Sequence, residues 1–177
     1  MASRNKPAWN PEPCNRTFRS ADTKYALVIP REELLKILQL CMVAGKLETG
    51  GILVGHYSRN HDVAHVSDAS GPPKDSKSGT TWFRRGLHGL QGWLLRLWKD
   101  DRFYLGEWHF HPGARPSPSG TDTIQIKEIS ESLQYNCPEP VLLIIGGNLP
   151  EAWEVEAYVS PRSGSVIRLE NAAIGAD

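Results

Sequence analysis

The sequence predicts one α/β domain built on a curved mixed β-sheet flanked by three helices. Three observations lead there. The 177 residues suit a single globular unit with a real core. Apolar residues make up 40% of the chain and charged residues 23%, ordinary values for a globular protein. Short runs of β-branched and aliphatic residues alternate with stretches of helical period, the pattern of a mixed architecture.

Each element has a local reason. Residues 1–20 read as a flexible lead-in, residues 21–170 as the domain, and 171–177 as a fraying tail. Tyr25 to Ile29 reads as a strand. Pro30 then opens a helix over 31–44, since proline's fixed φ suits a helix start. Leu34, Leu38, Cys41 and Met42 form its apolar stripe, with Leu35 and Ile37 beside it, and Gly45 ends it. Gly51–Tyr57 and Val63–Ser67 read as strands around a turn at 58–62. Pro72–Thr81 is rich in Pro, Ser, Gly and Lys and reads as a mobile loop. Leu87, Leu90, Leu94, Leu97 and Trp98 keep a helical period and predict a helix over 84–99. Gly86, Gly89 and Gly92 would let that helix pack closely on the sheet. Trp93 and Trp98 would face the core by the same spacing. Phe103–His111 is a strand, and Pro112–Pro118 is a loop stiffened by three prolines. A third helix starts at Ser119 and runs to about 133. Val141–Ile145, Ala152–Val159 and Ser165–Leu169 are strands, the first two joined through Gly146-Gly147-Asn148.

Composition narrows the function. Twenty basic residues balance twenty acidic ones, which argues against nucleic-acid binding by bulk charge. No apolar run approaches the roughly 18 residues that span a bilayer, so no membrane partner is expected. Cys14, Cys41 and Cys137 are odd in number and widely spaced, which is neither a disulfide framework nor a CxxC clasp, and a reducing cytoplasm is the expected compartment.

Chemistry concentrates at His109-Phe110-His111. Side chains two apart on a strand share a face, so both imidazoles can reach one ion, while Trp108 and Phe110 point into the core. Ser119 followed by Asp122 reads as a capping box. It also places Asp122 in a first helical turn, close after the histidines and across a stiff loop. Two His and one carboxylate leave a fourth tetrahedral position for water, the pattern of a catalytic zinc. Glu48, ahead of Thr49-Gly50-Gly51, supplies the carboxylate that a zinc hydrolase needs as a base. Glu107 shares the strand face of the histidines. It could accept from a ring N–H, but a surface carboxylate is the expected reading. His56, His61, His65 and His88 read as surface or turn residues.

The set Glu48, His109-x-His111, seven residues, Ser119-x-x-Asp122 resembles the JAB/JAMM metalloprotease family, the catalytic MPN domain. Pro112 and the Glu48-Thr49-Gly50-Gly51 context fit as well, and the resemblance spans about residues 22–160. Phe110 departs from the Ser or Thr common between the histidines of eukaryotic members. The lead-in Gly106-Glu107-Trp108-His109 looks like bacterial members, including deconjugases of CBASS antiphage operons. The resemblance implies a JAB/MPN-like domain of cytidine-deaminase-like architecture. It implies one Zn²⁺ per chain on His109, His111 and Asp122, with a bound water or hydroxide. Glu48 would move the proton, and Ser119 would donate to the oxyanion.

The implied substrate is an amide bond after the C-terminal tail of a ubiquitin-like or C-terminally conjugated protein. In a CBASS-like setting this would be a CD-NTase (a cGAS/DncV-like nucleotidyltransferase) joined by an E1/E2-like system. The tail would add as a strand to an exposed sheet edge, with residues 72–81 as clamp and Trp82 and Phe83 packing on it. Three other readings stand beside this one: a protease that trims a sulfur-carrier or ubiquitin-like precursor, a non-catalytic MPN scaffold, and a structural zinc module.

Overall fold

A computed structural model describes residues 15–172. In chain order its elements are β1 (Arg16–Arg19), β2 (Ala26–Ile29), α1 (Arg31–Ala44), β3 (Thr49–Tyr57), β4 (Val63–Ala69), β5 (Lys77–Ser78), β6 (Phe83–Arg84), α2 (Leu90–Trp98), β7 (Phe103–Pro112), α3 (Gly120–Glu131), β8 (Val141–Asn148), β9 (Ala152–Val159) and β10 (Ile167–Asn171).

The expected sheet is mixed, but it is not an open curved sheet. Eight strands close into a barrel in the order β1-β10-β9-β8-β7-β3-β4-β2. The β2–β4 and β7–β8 pairs are parallel and the others antiparallel. Closure depends on β1, which pairs with both β2 and β10. That strand lies in the stretch expected to be a loose lead-in. Its sequence Arg16-Thr17-Phe18-Arg19 offers one strongly apolar residue, Phe18, which is buried in the core. Residues 1–14 of the expected lead-in lie outside those described, as do residues 173–177 of the expected tail. Asn171 itself ends β10.

Strand alternation sorts side chains to the two sides of the wall. Leu53, Trp108, Phe110, Leu143 and Ile145 join one central cluster, and α1 lays Leu34, Ile37, Leu38 and Cys41 against it. Met42, expected in that stripe, is 36% exposed instead. The alternate residues face out. Ile52 and Val54 meet Leu90 and Leu97 of α2, and Leu142 and Ile144 meet Ile126 and Ile129 of α3. Each such buried aliphatic side chain contributes about 1.5–3 kcal/mol. Two helices therefore cover parts of the outer face, α2 over β3 and α3 over β8.

The second helix begins later than its periodicity suggests. β6 and a connecting stretch occupy the residues before Leu90. Asp75 accepts the backbone N–H groups of Leu87 and His88 at 3.0 and 2.9 Å, which holds that stretch out of the helix. The glycines are not a packing stripe. A Cβ on Gly86 would strike Asp75, while Gly89 has φ +79 at the N-cap and Gly92 faces only Arg96. Trp98 lies 61% exposed, contrary to its expected core role, while Trp93 packs partly buried against Leu90 and Leu97. The segment 72–81, read as a mobile loop, carries β5, which pairs with β6 as a two-stranded ribbon outside the barrel. β8 runs on through Gly146-Gly147-Asn148, so the turn to β9 is at Leu149–Glu151.

Candidate active site

His109 and His111 stand on β7 with both side chains on the outer face, where residues 80–83 flank them on one side and the start of α3 on the other. Their neighbours Trp108 and Phe110 are 0% and 1% exposed in the core, and the Trp108 indole donates to the Ser70 carbonyl at 2.8 Å. The strand is thus fixed from inside while it presents imidazoles outside. Both histidines are buried despite facing outward.

The start of α3 brings Asp122 to them. The Ser119 hydroxyl accepts from the Asp122 backbone N–H at 3.1 Å, and Asp122 Oδ2 accepts from the Ser119 N–H at 2.7 Å. This reciprocal capping box locks the Asp122 side chain. Its other oxygen, Oδ1, lies 2.7 Å from His109 Nδ1, and Oδ2 lies 3.5 Å from His111 Nε2. The loop between them is seated as well. A Cβ on Gly146 of β8 would fall 2.5 Å from the Ala114 carbonyl, and Gly113 N–H donates to the Gly147 carbonyl at 2.9 Å.

The charges are strongly coupled. Burial opposes a charged ring at His109, but hydrogen bonds to Asp122 and Glu107 outweigh it and raise the ring's pKa to about 9. Burial also resists the Asp122 charge, yet His109 and then Ser119 hold that carboxyl well below its usual range. Burial keeps His111 below the ordinary imidazole value against the pull of Asp122.

Glu48 lies just before β3, next to Thr49, which pairs with Phe110 between the two histidines. It is half-buried and lines one cleft of about 390 Å³ together with His109, His111, Ser119 and Asp122. Burial and then the Asp122 charge push its pKa up. The glycines after it are needed for space. A Cβ on Gly50 would come within 2.5 Å of the Trp108 carbonyl, and one on Gly51 within 2.3 Å of the Ser70 carbonyl.

Trp82 and Phe83 also line this cleft. Phe83 sets its edge against the His109 ring at 6.1 Å, and Trp82 is 51% exposed. The turn that carries Trp82 is tied to the site, because the Glu48 N–H donates to the Gly79 carbonyl at 2.8 Å.

Glu107 is not a surface carboxylate. It is 7% exposed, on the same face of β7 as the histidines, with Oε2 at 3.4 Å from His109 Nε2. Arg85 meets its other oxygen, and that guanidinium is itself largely withdrawn from solvent. Burial resists the Glu107 charge, but His109 and Arg85 hold its pKa down. The parity that puts His109 on the outer face already puts Glu107 there. Arg85 gave no sequence signal of its own.

The donor set fits a zinc ion. One ligand atom each from His109, His111 and Asp122 falls within 4.8 Å of the others, the one such group of three among the described residues. Ligands about 2.0–2.1 Å from a tetrahedral zinc stand roughly 3.4 Å apart, close to the 3.5 Å between His111 Nε2 and Asp122 Oδ2 and wider than the 2.7 Å between His109 Nδ1 and Asp122 Oδ1.

Known proteins bear on this geometry. A sequence profile for prokaryotic homologs of the JAB domain matches residues 30–158. A protein of Enterobacter hormaechei subsp. hoffmannii named CD-NTase/cGAS isopeptidase is 41% identical over 89% of this chain and 88% of its own. A protein of Pseudomonas aeruginosa with the same name is 30% identical over 67% of this chain and 73% of its own. A probable metalloprotease of Sinorhizobium fredii is 37% identical over 64% of this chain and 70% of its own. A solution structure of a protein from Desulfitobacterium hafniense superposes with a TM-score of 0.58 at 18% identity, covering 79% of this chain and 87% of that one, a likeness of fold alone. A barrel that brings buried His109, His111 and Asp122 together, matched along most of its length by these sequences, belongs to the prokaryotic JAB-domain family.

Proposed function

We propose that this chain is a zinc-dependent isopeptidase that hydrolyses the amide bond after the C-terminal tail of a ubiquitin-like or otherwise C-terminally conjugated protein. One observation carries the reading. His109, His111 and Asp122 open onto the same cleft as Glu48 and Ser119. A lone metal clasp has no need of the last two.

His109, His111 and Asp122 would hold the ion and leave a fourth position free. Zinc supplies Lewis acidity there, lowering the pKa of water to about 7 and polarising a carbonyl. Glu48 is the base that accepts the water's proton at its carboxylate and returns it to the leaving amine. Its raised pKa suits a group that must both take and give a proton near neutrality. The Ser119 oxygen is an acceptor in the helix cap, and its own hydrogen is left to donate to the developing oxyanion.

The closed barrel offers a substrate tail no strand to pair with, since closure removes sheet edges. The β5–β6 ribbon has open edges and stands beside the cleft. A tail in extended form would pair along β6 and pack on Trp82 and Phe83. The relatives named CD-NTase/cGAS isopeptidase support a conjugated CD-NTase as the substrate; an E1/E2-like system would be the maker of that conjugate. Buried free thiols at Cys41 and Cys137 suit a reducing cytoplasm.

The test is metal analysis with a cleavage assay on a conjugate. The expected result is one zinc per reconstituted chain, cleavage by the wild type, and a Glu48→Ala protein that keeps zinc and loses cleavage. A wild type that binds no zinc sinks the reading at its first step. A cleaving Glu48→Ala protein sinks the assignment of the base.

A further inference from the structure

Glu107 divides its two oxygens between different tasks. Oε1 receives Arg85 Nε at 3.0 Å, the second guanidinium nitrogen at 2.9 Å and the Tyr104 hydroxyl at 3.3 Å. Oε2 is left to His109 Nε2, while the ring's other nitrogen faces Asp122. The Glu107 and Arg85 side chains are 9% and 13% exposed. A buried ion pair is a poor source of stability, because desolvation offsets most of the attraction. Packing alone therefore does not account for this pair on the outer wall of β7.

We infer that Arg85 and Glu107 are a positioning pair that fixes the His109 ring for metal binding and ties it to the β5–β6 ribbon. The inference rests on the zinc reading above. Arg85 directly follows β6, so the guanidinium that saturates Oε1 is anchored at the foot of the ribbon. It steers the carboxylate so that only Oε2 is available to the ring. A metal-ligating histidine keeps its tautomer and orientation through such a partner, and losing the partner typically costs about 10–100-fold in metal affinity. Arg85 touches no ligand and acts through Glu107.

The test is a double-mutant cycle read by zinc affinity rather than by turnover. Wild type, Glu107→Gln, Arg85→Gln and the double variant are titrated with zinc against a competing chelator. Thermal melts of the metal-free proteins verify that each is folded, and the visible spectrum with Co²⁺ in place of zinc reports ligand geometry. Glu107→Gln should weaken zinc binding by about 10–100-fold and alter the cobalt spectrum. Arg85→Gln should weaken it too, and the double variant should be no worse than Glu107→Gln, because the residues act in series. Folded single variants that bind zinc within about twofold of wild type would overturn the inference, as would strictly additive losses. A wild type without zinc affinity is a separate result and overturns the metal reading itself.

Discussion

Gly50 faces His109 across the β3–β7 pair, and a Cβ at Gly50 would stand 3.0 Å from the ring's Cδ2 and 2.9 Å from Phe83. The same Cβ would lie 2.5 Å from the Trp108 carbonyl, which cannot rotate away. Gly50→Ala should therefore push β7 and its imidazole outward. The expected cost is about 1–3 kcal/mol of stability, as for other overpacked sites, together with weaker zinc binding. Denaturant melts and zinc titration measure both, and unchanged zinc affinity would show that the ring tolerates the shift.

Ser119 caps α3 and, in the proposed reaction, donates to the oxyanion, two tasks that one substitution can separate. Glycine is nearly as good an N-cap as serine, costing a few tenths of a kcal/mol, but it has no hydroxyl to donate. Ser119→Gly should melt close to wild type and hold zinc, while kcat falls by about 10²–10³. A variant with near-normal kcat would free Ser119 of any part in the reaction.

Glu48 should set the acid side of the pH–rate profile. Its pKa is raised by burial and by Asp122, so the active carboxylate is lost as pH falls through a value above the ordinary glutamate range. The kcat/KM of the zinc enzyme should drop on that limb, and Glu48→Gln should lose about 10²–10⁴ in rate at every pH. If the limb persists in residual Glu48→Gln activity, another group owns it.

The metal-free protein should have a stability window bounded on both sides. His109 has a raised pKa, so its contribution is complete below the unfolded value of about 6.5 and is lost as pH rises through about 9. Asp122 has a lowered pKa, so its contribution holds above the unfolded value of about 3.9 and is lost as pH falls below it. Zinc binding needs the neutral ring and should strengthen over the interval in which metal-free Tm declines. Melts across that interval, with and without zinc, check both signs; a metal-free Tm that stays level above neutrality contradicts the His109–Asp122 coupling.

Trp82 should matter to substrate and not to metal. It is half-exposed at the cleft on a turn held by the Glu48–Gly79 hydrogen bond. Trp82→Ala should raise KM for a conjugate by roughly 5–30-fold, the range of a moderate aromatic contact of about 1–2 kcal/mol, with zinc content unchanged. An unaltered KM would remove the ribbon from substrate binding.

Much of the site was legible because its residues obey short-range rules. The period of a strand puts His109 and His111 on one face, and the capping box places Asp122. Glu107 was equally legible by parity, but a charged residue on a strand defaults to solvent in any reading of sequence alone. Its burial depends on Arg85, 22 residues earlier, and no local pattern links the two. Closure of the sheet was invisible for a similar reason. Alternation assigns residues to faces but does not say whether the two end strands meet, and β1 has only Phe18 to announce it. The late start of α2 came from Asp75 bonding to backbone 12 and 13 residues away, a long-range cap that overrides the leucine period.

On the isopeptidase reading, the closed barrel separates folding from selection. With its strands all paired, the barrel would hold the proposed reacting groups whatever conjugate arrived, and discrimination between partners would fall to the short β5–β6 ribbon on its outside. Such a ribbon could then be exchanged as a cassette to redirect substrate choice. The graft would have to bring two fasteners with it: a carbonyl for the Glu48 amide and an arginine for Glu107.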